Sequence, residues 1–380
     1  VRKMKPLIRQ IFRMSVYQLM YLDKVPASAV INEAVKIAKK RKFMALSGFV
    51  NGVLRTIDRE RANIKYPSKE KEPLHYFSVM YSLPEWMIAT WLKAYDAEKV
   101  EGICKALNER AQVCIRVNTL KASKEEVVKC LQEEGVTVLP GEFLEEAMYL
   151  KNVDNIQNMS SFKKGLWTVQ DESAMLVGKV IAPQSGERIL DLCSAPGGKS
   201  IHMAELMKNE GEIISCDIHP HKLELIAKNA ERMGATIIKP TLQDGTVCNE
   251  DFIGKFDRVL VDAPCSGLGI MKRKPDIRYN KEMTDIEDIA QIQRAILTQA
   301  VKYLKPEGTL VYSTCTISKV ENEEMVDFMT KELGLELNEI VDTIPNKLQK
   351  EVRQGSMIQI LPQLAGTDGF FIAGLKKRSI

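Results

Sequence analysis

From about Leu166 onward the chain alternates apolar runs with amphipathic segments, and that alternation limits its fold more than any other feature. The runs RILDLCSA, EIISCDI, TIIKPTL, RVLVDAPC and TLVYSTCT have the length and residue types of strands, while HKLELIAKNAERM and IAQIQRAILTQAVKYL repeat apolar residues at helical spacing. Strands that are apolar almost throughout and separated by helices imply a parallel sheet covered on both faces, because parallel neighbours need a crossover connection. The ending MIQILPQLAGTDGFFIAGL reads instead as two strands joined by a turn, so the last strand is expected to run antiparallel. The expected class over residues 161–380 is α/β, a mostly parallel sheet with an antiparallel last strand.

Upstream, LIRQIFRMSVYQLMYL, SAVINEAVKIAKK and LSGFVNGVLRTIDR are helical in pattern, which makes residues 1–62 an all-α bundle. The charged stretch ERANIKYPSKEKEP carries Pro67 and Pro73 and reads as a surface linker covering residues 63–82. Residues 83–160 mix helices with the strands VCIRVNTL and VTVLP, a small α+β module. Within it, Ser123 with Glu126 forms a capping box, and Gly135 ends the helix. Val1 stands at the threshold of a helix, so the numbering is expected to start inside a longer natural chain.

No apolar run has the length of a membrane span, and VRKMKPLIRQ lacks the core of a secretory signal, so a cytoplasmic protein is expected, and separately a monomer. The eight cysteines never fall two to four apart, which leaves no visible zinc pair and makes reduced thiols the default. A net charge of +4 does not by itself demand a nucleic-acid partner. Basic residues do cluster in MKRKPDIRYNK and LKKRS, either as solvated surface or as a rim that holds a phosphate backbone.

Open α/β sheets bind ligands beyond the carboxyl ends of their strands, near the point where strand order reverses. After the first strand comes CSAPGGKS, Cys193 to Ser200. A phosphate-binding P-loop needs glycine where Cys193 stands, and the dinucleotide spacing G-x-G-x-x-G is absent. What remains is a tight turn, Gly197 and Gly198, that lets a ligand approach the backbone at a helix N-terminus. Asp217 ends the second strand twenty residues after Gly197, where nucleotide-binding folds place a carboxylate for ribose hydroxyls, and Asp244 follows the third. Taken singly, each acid reads as a helix cap or turn former. Together, on successive strand ends, they favour an adenosine-containing ligand without a pyrophosphate, a description that S-adenosylmethionine fits.

The fourth strand brings Asp262, Pro264 and Cys265 to the same rim, and the fifth brings Ser313, Thr314 and Cys315. Either cysteine alone reads as a buried small hydrophobe. The pair suits methylation of carbon 5 of a pyrimidine, an atom too weakly nucleophilic to attack a methyl sulfonium unaided. A thiolate adding at carbon 6 makes carbon 5 nucleophilic, and the thiol leaves after methyl transfer and loss of the carbon 5 hydrogen. The base reaches such a pocket only from single-stranded, looped or flipped nucleic acid. Spacing alone does not say which thiol attacks.

The blocks RVNTLK, VQDESAMLV, LDLCSAPGGKS, DAPCSGLG, KPDIRY, YSTCT with ENE behind it, and DGFF run in order over nearly the whole chain. In them the sequence resembles the RNA 5-methylcytosine methyltransferases, most closely the bacterial 16S ribosomal RNA type, RsmB/Sun. INEAVKIAKK and FVNGVLRTI resemble the later helices of a NusB domain whose opening helices are not found here. The resemblance implies a Rossmann-like methyltransferase sheet, S-adenosylmethionine without a metal, small-subunit ribosomal RNA as partner, and an RNA-binding role for residues 83–160. It also implies that Cys193, Ser194, Ala195, Pro196, Gly197, Gly198 and Lys199 form the cofactor loop, with Asp217 on the ribose and Asp244 near the adenine. Asp262 would then lie between cofactor and base, Cys315 would be the nucleophile, and Cys265 would help release the methylated product. In DNA cytosine methyltransferases the Pro-Cys thiol attacks instead. Methylation of a transfer RNA or of DNA, and a non-catalytic RNA-binding factor, are the alternatives; the glycine turn, three acids and two thiols argue against the last.

Overall fold

The computed structural model describes residues 3–379 and divides into two units, Val1–Glu72 and Pro73–Ile380. In the first, α1 (Pro6–Tyr21), α2 (Ala27–Lys40) and α3 (Ser47–Glu60) bury one stripe each around Ile11, Leu19, Ile31, Ala34, Val50 and Leu54.

The second unit opens with α4 (Pro73–Tyr81), α5 (Glu85–Ala94) and α6 (Ala97–Ala106). The stretch 73–81 is thus a helix and not part of the linker expected over 63–82. Pro73 starts this helix instead of breaking one, because the first turn does not use its N–H, and Phe77 is fully buried. These helices pack Phe77, Met87, Trp91 and Ile103 against Leu268, Met271 and Ile317, which lie in loops beyond the large sheet. They brace those loops and do not belong to the small sheet.

That small sheet comprises β1 (Val113–Val117), β2 (Thr137–Pro140), β3 (Ala147–Lys151) and β4 (Trp167–Val169), all antiparallel in the order β2-β3-β1-β4. Helices α7 (Lys124–Glu133) and α8 (Ser160–Lys163) connect them. The capping box forms as expected: Ser123 N donates to Glu126 Oε2 at 2.8 Å and Glu126 N to Ser123 Oγ at 3.2 Å. β4 lies past the boundary expected at 160. It pairs with β1 and buries Trp167 completely in the small sheet's own core.

After α9 (Glu172–Ile181) the large sheet begins: β5 (Arg188–Asp191), α10 (Gly198–Leu206), β6 (Glu212–Asp217), α11 (Pro220–Met233), β7 (Ile238–Leu242) and β8 (Phe256–Asp262). It continues with α12 (Ile277–Asn280), α13 (Met283–Tyr303), β9 (Leu304–Thr314), α14 (Glu323–Lys331), β10 (Glu336–Leu337), β11 (Val352–Arg353), β12 (Met357–Ile360) and β13 (Phe370–Lys376). Strand order is β11-β12-β13-β9-β8-β5-β6-β7, with β10 also on β13. β5 to β9 are parallel, and β13 pairs antiparallel with β9, as the sequence led us to expect. Along the strands, Ile189, Ile213, Leu260 and Val311 face α9, α10 and α11, while Leu190, Ile214, Val259 and Leu310 face α13 and α14. That period of two fills both faces of the sheet and explains why the strands are apolar throughout. From β5 the chain moves outward through β6 and β7, then returns to the other side of β5 as β8. The reversal opens a crevice beyond the ends of β5 and β8, and the candidate residues collect there.

Candidate active site

The turn after β5 is held by its own polar groups. Gly197 has φ 98°, a left-handed conformation that a side chain disfavours, and a Cβ there would stand 3.4 Å from Ile226 Cγ2. Ser194 donates from both N and Oγ to Cys216 O at 2.9 and 3.0 Å, which ties the turn to β6, and Asn229 Nδ2 donates to Pro196 O at 3.0 Å. Asp191, at the end of β5, is fully buried and accepts from Ser200 Oγ at 2.6 Å; burial pushes its carboxyl up to about 7. Sequence reasoning passed over Asp191, although an acid closing an apolar strand just before a glycine turn was the available signal.

A crevice of about 700 Å³ opens over this turn. Cys193, Ala195, Asp217, Asp244, Asp262, Cys265 and Cys315 line it. Ser194, Pro196, Gly197, Gly198 and Lys199, in the same turn, are not among its lining residues. Asp217 Oδ1 accepts from His219 N at 3.0 Å, and Lys222 Nζ lies 3.5 Å from Oδ2. Asp244 Oδ1 accepts from Thr246 Oγ1 at 2.6 Å and from Thr246 N at 2.9 Å, and these bonds hold its carboxyl below the usual range. Each acid therefore forms a turn, as the residue types alone suggest, and also lines the crevice. Ile218, Ile292 and Ile296 add apolar wall between the acids and α13.

Deeper in, Lys199 Nζ meets Asp262 Oδ2 at 2.6 Å, and Ser313 Oγ donates to Asp262 Oδ1 at 2.7 Å. Burial works against the Lys199 charge, but Asp262 outweighs it and, with Cys315 and Asp191 adding to the effect, the ammonium is held above its usual range. Cys265 Sγ and Cys315 Sγ lie 3.3 Å apart. The strand pairing explains this proximity: Asp262 is level with Ser313 across the parallel β8 and β9 pair, so both following loops leave from one point. Their contact, burial, and then the Glu321 carboxylate push the Cys265 thiol well up. The backbones approach closely as well. Gly269 N donates to Cys315 O at 3.0 Å and Gly369 N to Gly269 O at 2.9 Å; a Cβ on Gly269 would sit 2.0 Å from Gly369 O, so APCSGLG and DGFF both need glycine there.

A second cavity of about 250 Å³ touches Cys315 from another side and includes Asp171, Arg273, Asp368 and Phe370. Its charges satisfy one another. Arg273 donates Nε to Asp368 at 2.7 Å, Nη2 to Asp171 at 2.8 Å and Nη1 to Gln112 O at 3.0 Å. Lys272, almost wholly buried, donates to the carbonyls of Gly366 and Thr367. Arg278 bonds Asn108 Oδ1 and Leu107 O. The basic segment MKRKPDIR is therefore mostly a set of tethers, neither the solvated surface nor the phosphate-holding rim between which its charge left the choice open; Lys274 and Lys281 do line the large crevice. Physically, a lone run of cations attracts whatever carboxylates and carbonyls the fold brings near, and here DGFF and VQDES bring them.

RVNTLK joins the small sheet to this site. Arg116, on β1, holds Glu205 of α10 through Nε at 3.0 Å and Nη2 at 2.8 Å, and its Nη1 donates to Gln170 and, at 3.2 Å, to Gly198 O. Asn118 Nδ2 donates to Gly165 O and Met233 O, both at 2.7 Å, and Lys121 Nζ to Arg232 O at 2.6 Å. One short motif thus clamps both ends of α10 and the end of α11. Among the described residues, no cluster of three or more His, Cys, Asp or Glu side chains is arranged to hold a metal, and no helix is long and apolar enough to cross a membrane.

Residues 178–376 match the family model of the 16S rRNA methyltransferases RsmB/F, 1–59 the NusB family, and 83–157 the ferredoxin-like domain of RsmF/B-like methyltransferases. The probable ribosomal RNA small subunit methyltransferase B of Bacillus subtilis is 42% identical over 99% of this chain and 84% of its own length. The small subunit methyltransferase B of Shewanella oneidensis is 34% identical over 98% and 82%. Among solved structures, PH0851 superposes with a TM-score of 0.81 at 30% identity, covering 98% of this chain and 83% of that one. A methyltransferase homolog from Pyrococcus horikoshii gives 0.68 at 26%, covering 80% and 99%. With the crevice at the β5 and β8 switch point and these matches along its whole length, the chain belongs to the RsmB/F family of 16S rRNA methyltransferases.

Proposed function

We propose that this protein methylates carbon 5 of a cytosine in small-subunit ribosomal RNA, using S-adenosylmethionine, through a covalent bond between Cys315 and the base. The observation that carries the reading is the 3.3 Å contact of two thiols that follow adjacent parallel strands and line one crevice. The residues present fit the cofactor: a glycine turn at the start of α10, the Asp217 and Asp244 carboxylates on the crevice wall, and isoleucines to flank a flat ring. Asp217 would hold the ribose, Asp244 the adenine edge, and the loop from Cys193 to Lys199 the remainder. When bound, S-adenosylmethionine supplies an electrophilic methyl group.

The chain's own groups do the rest. Cys315, as thiolate, adds to carbon 6 of the cytosine; its electron pair forms the S–C6 bond, and the pair of the C5=C6 double bond shifts to carbon 5, which takes the methyl group. The Lys199 ammonium stabilises negative charge at Cys315 and is held in place by its pairing with Asp262. Removal of the carbon 5 hydrogen as a proton returns the electrons, and the Cys315 thiolate departs. Cys265, held as a thiol 3.3 Å from that sulfur, gives its own proton to the departing Cys315 thiolate and takes the carbon 5 proton in its place, ending as it began. Bisulfite mapping of 16S ribosomal RNA from cells with and without the gene tests the reading. One cytosine protected only when the gene is present is expected; protection in transfer RNA or DNA alone would overturn the substrate.

RNA binding gives a separate expectation. Lys274→Ala shallows the slope of log K against log salt by about one, as loss of one phosphate contact does. Arg273→Ala leaves that slope unchanged and instead lowers stability by about 2–3 kcal/mol, because Asp368 and Asp171 lose a charged donor. Filter-binding titrations at several salt concentrations and thermal melts check the pair.

A further inference from the structure

Cys265 and Cys315 are equivalent in spacing and in contact with one another, yet the reaction needs one to ionise and the other to keep its proton. The fold supplies a difference between them through a residue that touches neither sulfur. Glu321, from the block ENE, is wholly buried. Its Oε1 accepts from Ser266 N at 2.7 Å and its Oε2 from Ser266 Oγ at 2.5 Å. The Thr316 hydroxyl lies 2.8 Å from Ser266 Oγ and 3.3 Å from Glu321 Oε2. Ser266 directly follows Cys265, and Thr316 directly follows Cys315. Gln293 of α13 closes the ring, donating to Pro264 O at 2.9 Å and lying 3.4 Å from Oε1.

Every group around the carboxylate is a donor, an environment that suits the ionised form, which only accepts. Burial pushes its carboxyl up, and the bonds from Ser266, Thr316 and Gln293 oppose that by stabilising the charge. The next residue extends the clamp: Thr314 Oγ1 donates to Asn322 Oδ1 at 2.6 Å, and Asn322 Nδ2 donates to Thr316 O at 3.2 Å. The two loops are therefore tied to adjacent residues of one turn, on either side of the thiol pair.

We propose that Glu321 is the positioning residue that divides the labour of the two thiols, fixing both cysteine loops through Ser266 and Thr316 and setting a buried negative charge on the Cys265 side, opposite the Lys199 ammonium on the Cys315 side. The groups facing Cys265 are Cys315, Glu321 and Tyr312, whose O–H donates to Glu321 O at 2.6 Å; Lys199, paired with Asp262, acts on Cys315. A negative charge near a thiol disfavours the thiolate, so Glu321 keeps Cys265 protonated and available as an acid. This assignment of roles rests on the methyl-transfer reading above; the charge effect on Cys265 does not.

The test is peptide-resolved alkylation by iodoacetamide across a pH series, in the Cys315→Ala protein so that Cys265 is the only thiol of the pair. Adding Glu321→Gln is expected to move the Cys265 alkylation profile to lower pH by about one unit, roughly tenfold in rate at neutral pH. Adding Glu321→Asp, which keeps the charge, is expected to leave the profile where it was. Equal shifts in both variants, or none in either, would overturn the proposal, whether or not the protein methylates cytosine. With Cys315 restored, Glu321→Gln lowers kcat while KM for S-adenosylmethionine holds; a matched loss in melting temperature and in both constants would mark a merely structural residue.

Discussion

Cys315→Ala is expected to abolish methyl transfer, a loss on the order of 10⁴-fold or more, and to abolish every covalent protein–RNA species. Without a thiolate at carbon 6, carbon 5 has no means of becoming nucleophilic, and neither Lys199 nor Asp262 offers a substitute attacker. Cys265→Ala should behave differently: bond formation at Cys315 survives, but release slows by about 10²–10⁴-fold, the usual contribution of one proton-transfer group. The adduct then accumulates and runs as a shifted band on a denaturing gel with 16S ribosomal RNA and S-adenosylmethionine. In the double variant the band disappears. A band that persists in Cys315→Ala and vanishes in Cys265→Ala would reverse the two roles and align this chain with the Pro-Cys chemistry of DNA enzymes. The surroundings favour the first outcome, since the cation lies on the Cys315 side and the buried carboxylate on the Cys265 side.

The largest expected effect on stability is at Arg116. Its guanidinium and the Glu205 carboxylate are 0% and 2% exposed and form a two-pronged pair. Arg116→Met fills much of the volume but leaves Glu205 buried without its cation, which costs about 3–5 kcal/mol. Burial already raises the Glu205 carboxyl above its ordinary 4.5, and Arg116 opposes that shift; without Arg116 the shift grows. A carboxyl with a raised folded pKa is penalised while ionised, so the deficit is full above the folded value. It shrinks as pH falls toward 4.5, where the variant takes up a proton and the penalty is relieved. Urea unfolding of both proteins over that range measures it, and a pH-independent difference would mean that lost packing, not an orphaned charge, is responsible. Gly198 O and Gln170 also lose a donor, so the variant should bind S-adenosylmethionine more weakly even where it is folded.

Much of the site was legible because its residues sit at strand ends, and strands announce themselves. Apolar runs such as RVLVDAPC locate β8 to within a residue or two, and Asp262 and Cys265 then follow by counting. The glycine turn was equally plain, since Gly197 has no reading but a bend before a helix. Pro73 misled because proline both breaks and begins helices, and only the burial of Phe77 decides which. Lys272 and Arg273 misled for a related reason. A cation's partner can be far away in sequence, and Asp368 stands 95 residues beyond Arg273. Glu321 lay in a block that resemblance picked out but to which periodicity assigned no task.

What the sequence determined by itself was the order of strands and helices, hence the parallel sheet, its antiparallel close, and the rim on which every candidate side chain lies. These follow from local patterning, where period and turn chemistry act over a few residues. What tertiary structure alone decided was which of those side chains meet, and with what charge beside them. Cys265 and Cys315 are 50 residues apart and alike in sequence context; they become partners 3.3 Å apart because β8 and β9 are neighbours in register, and unlike because Lys199 and Glu321 arrive from opposite sides. Electrostatic influence falls with distance through space and takes no account of distance along the chain, so no reading of the chain in order could have assigned it.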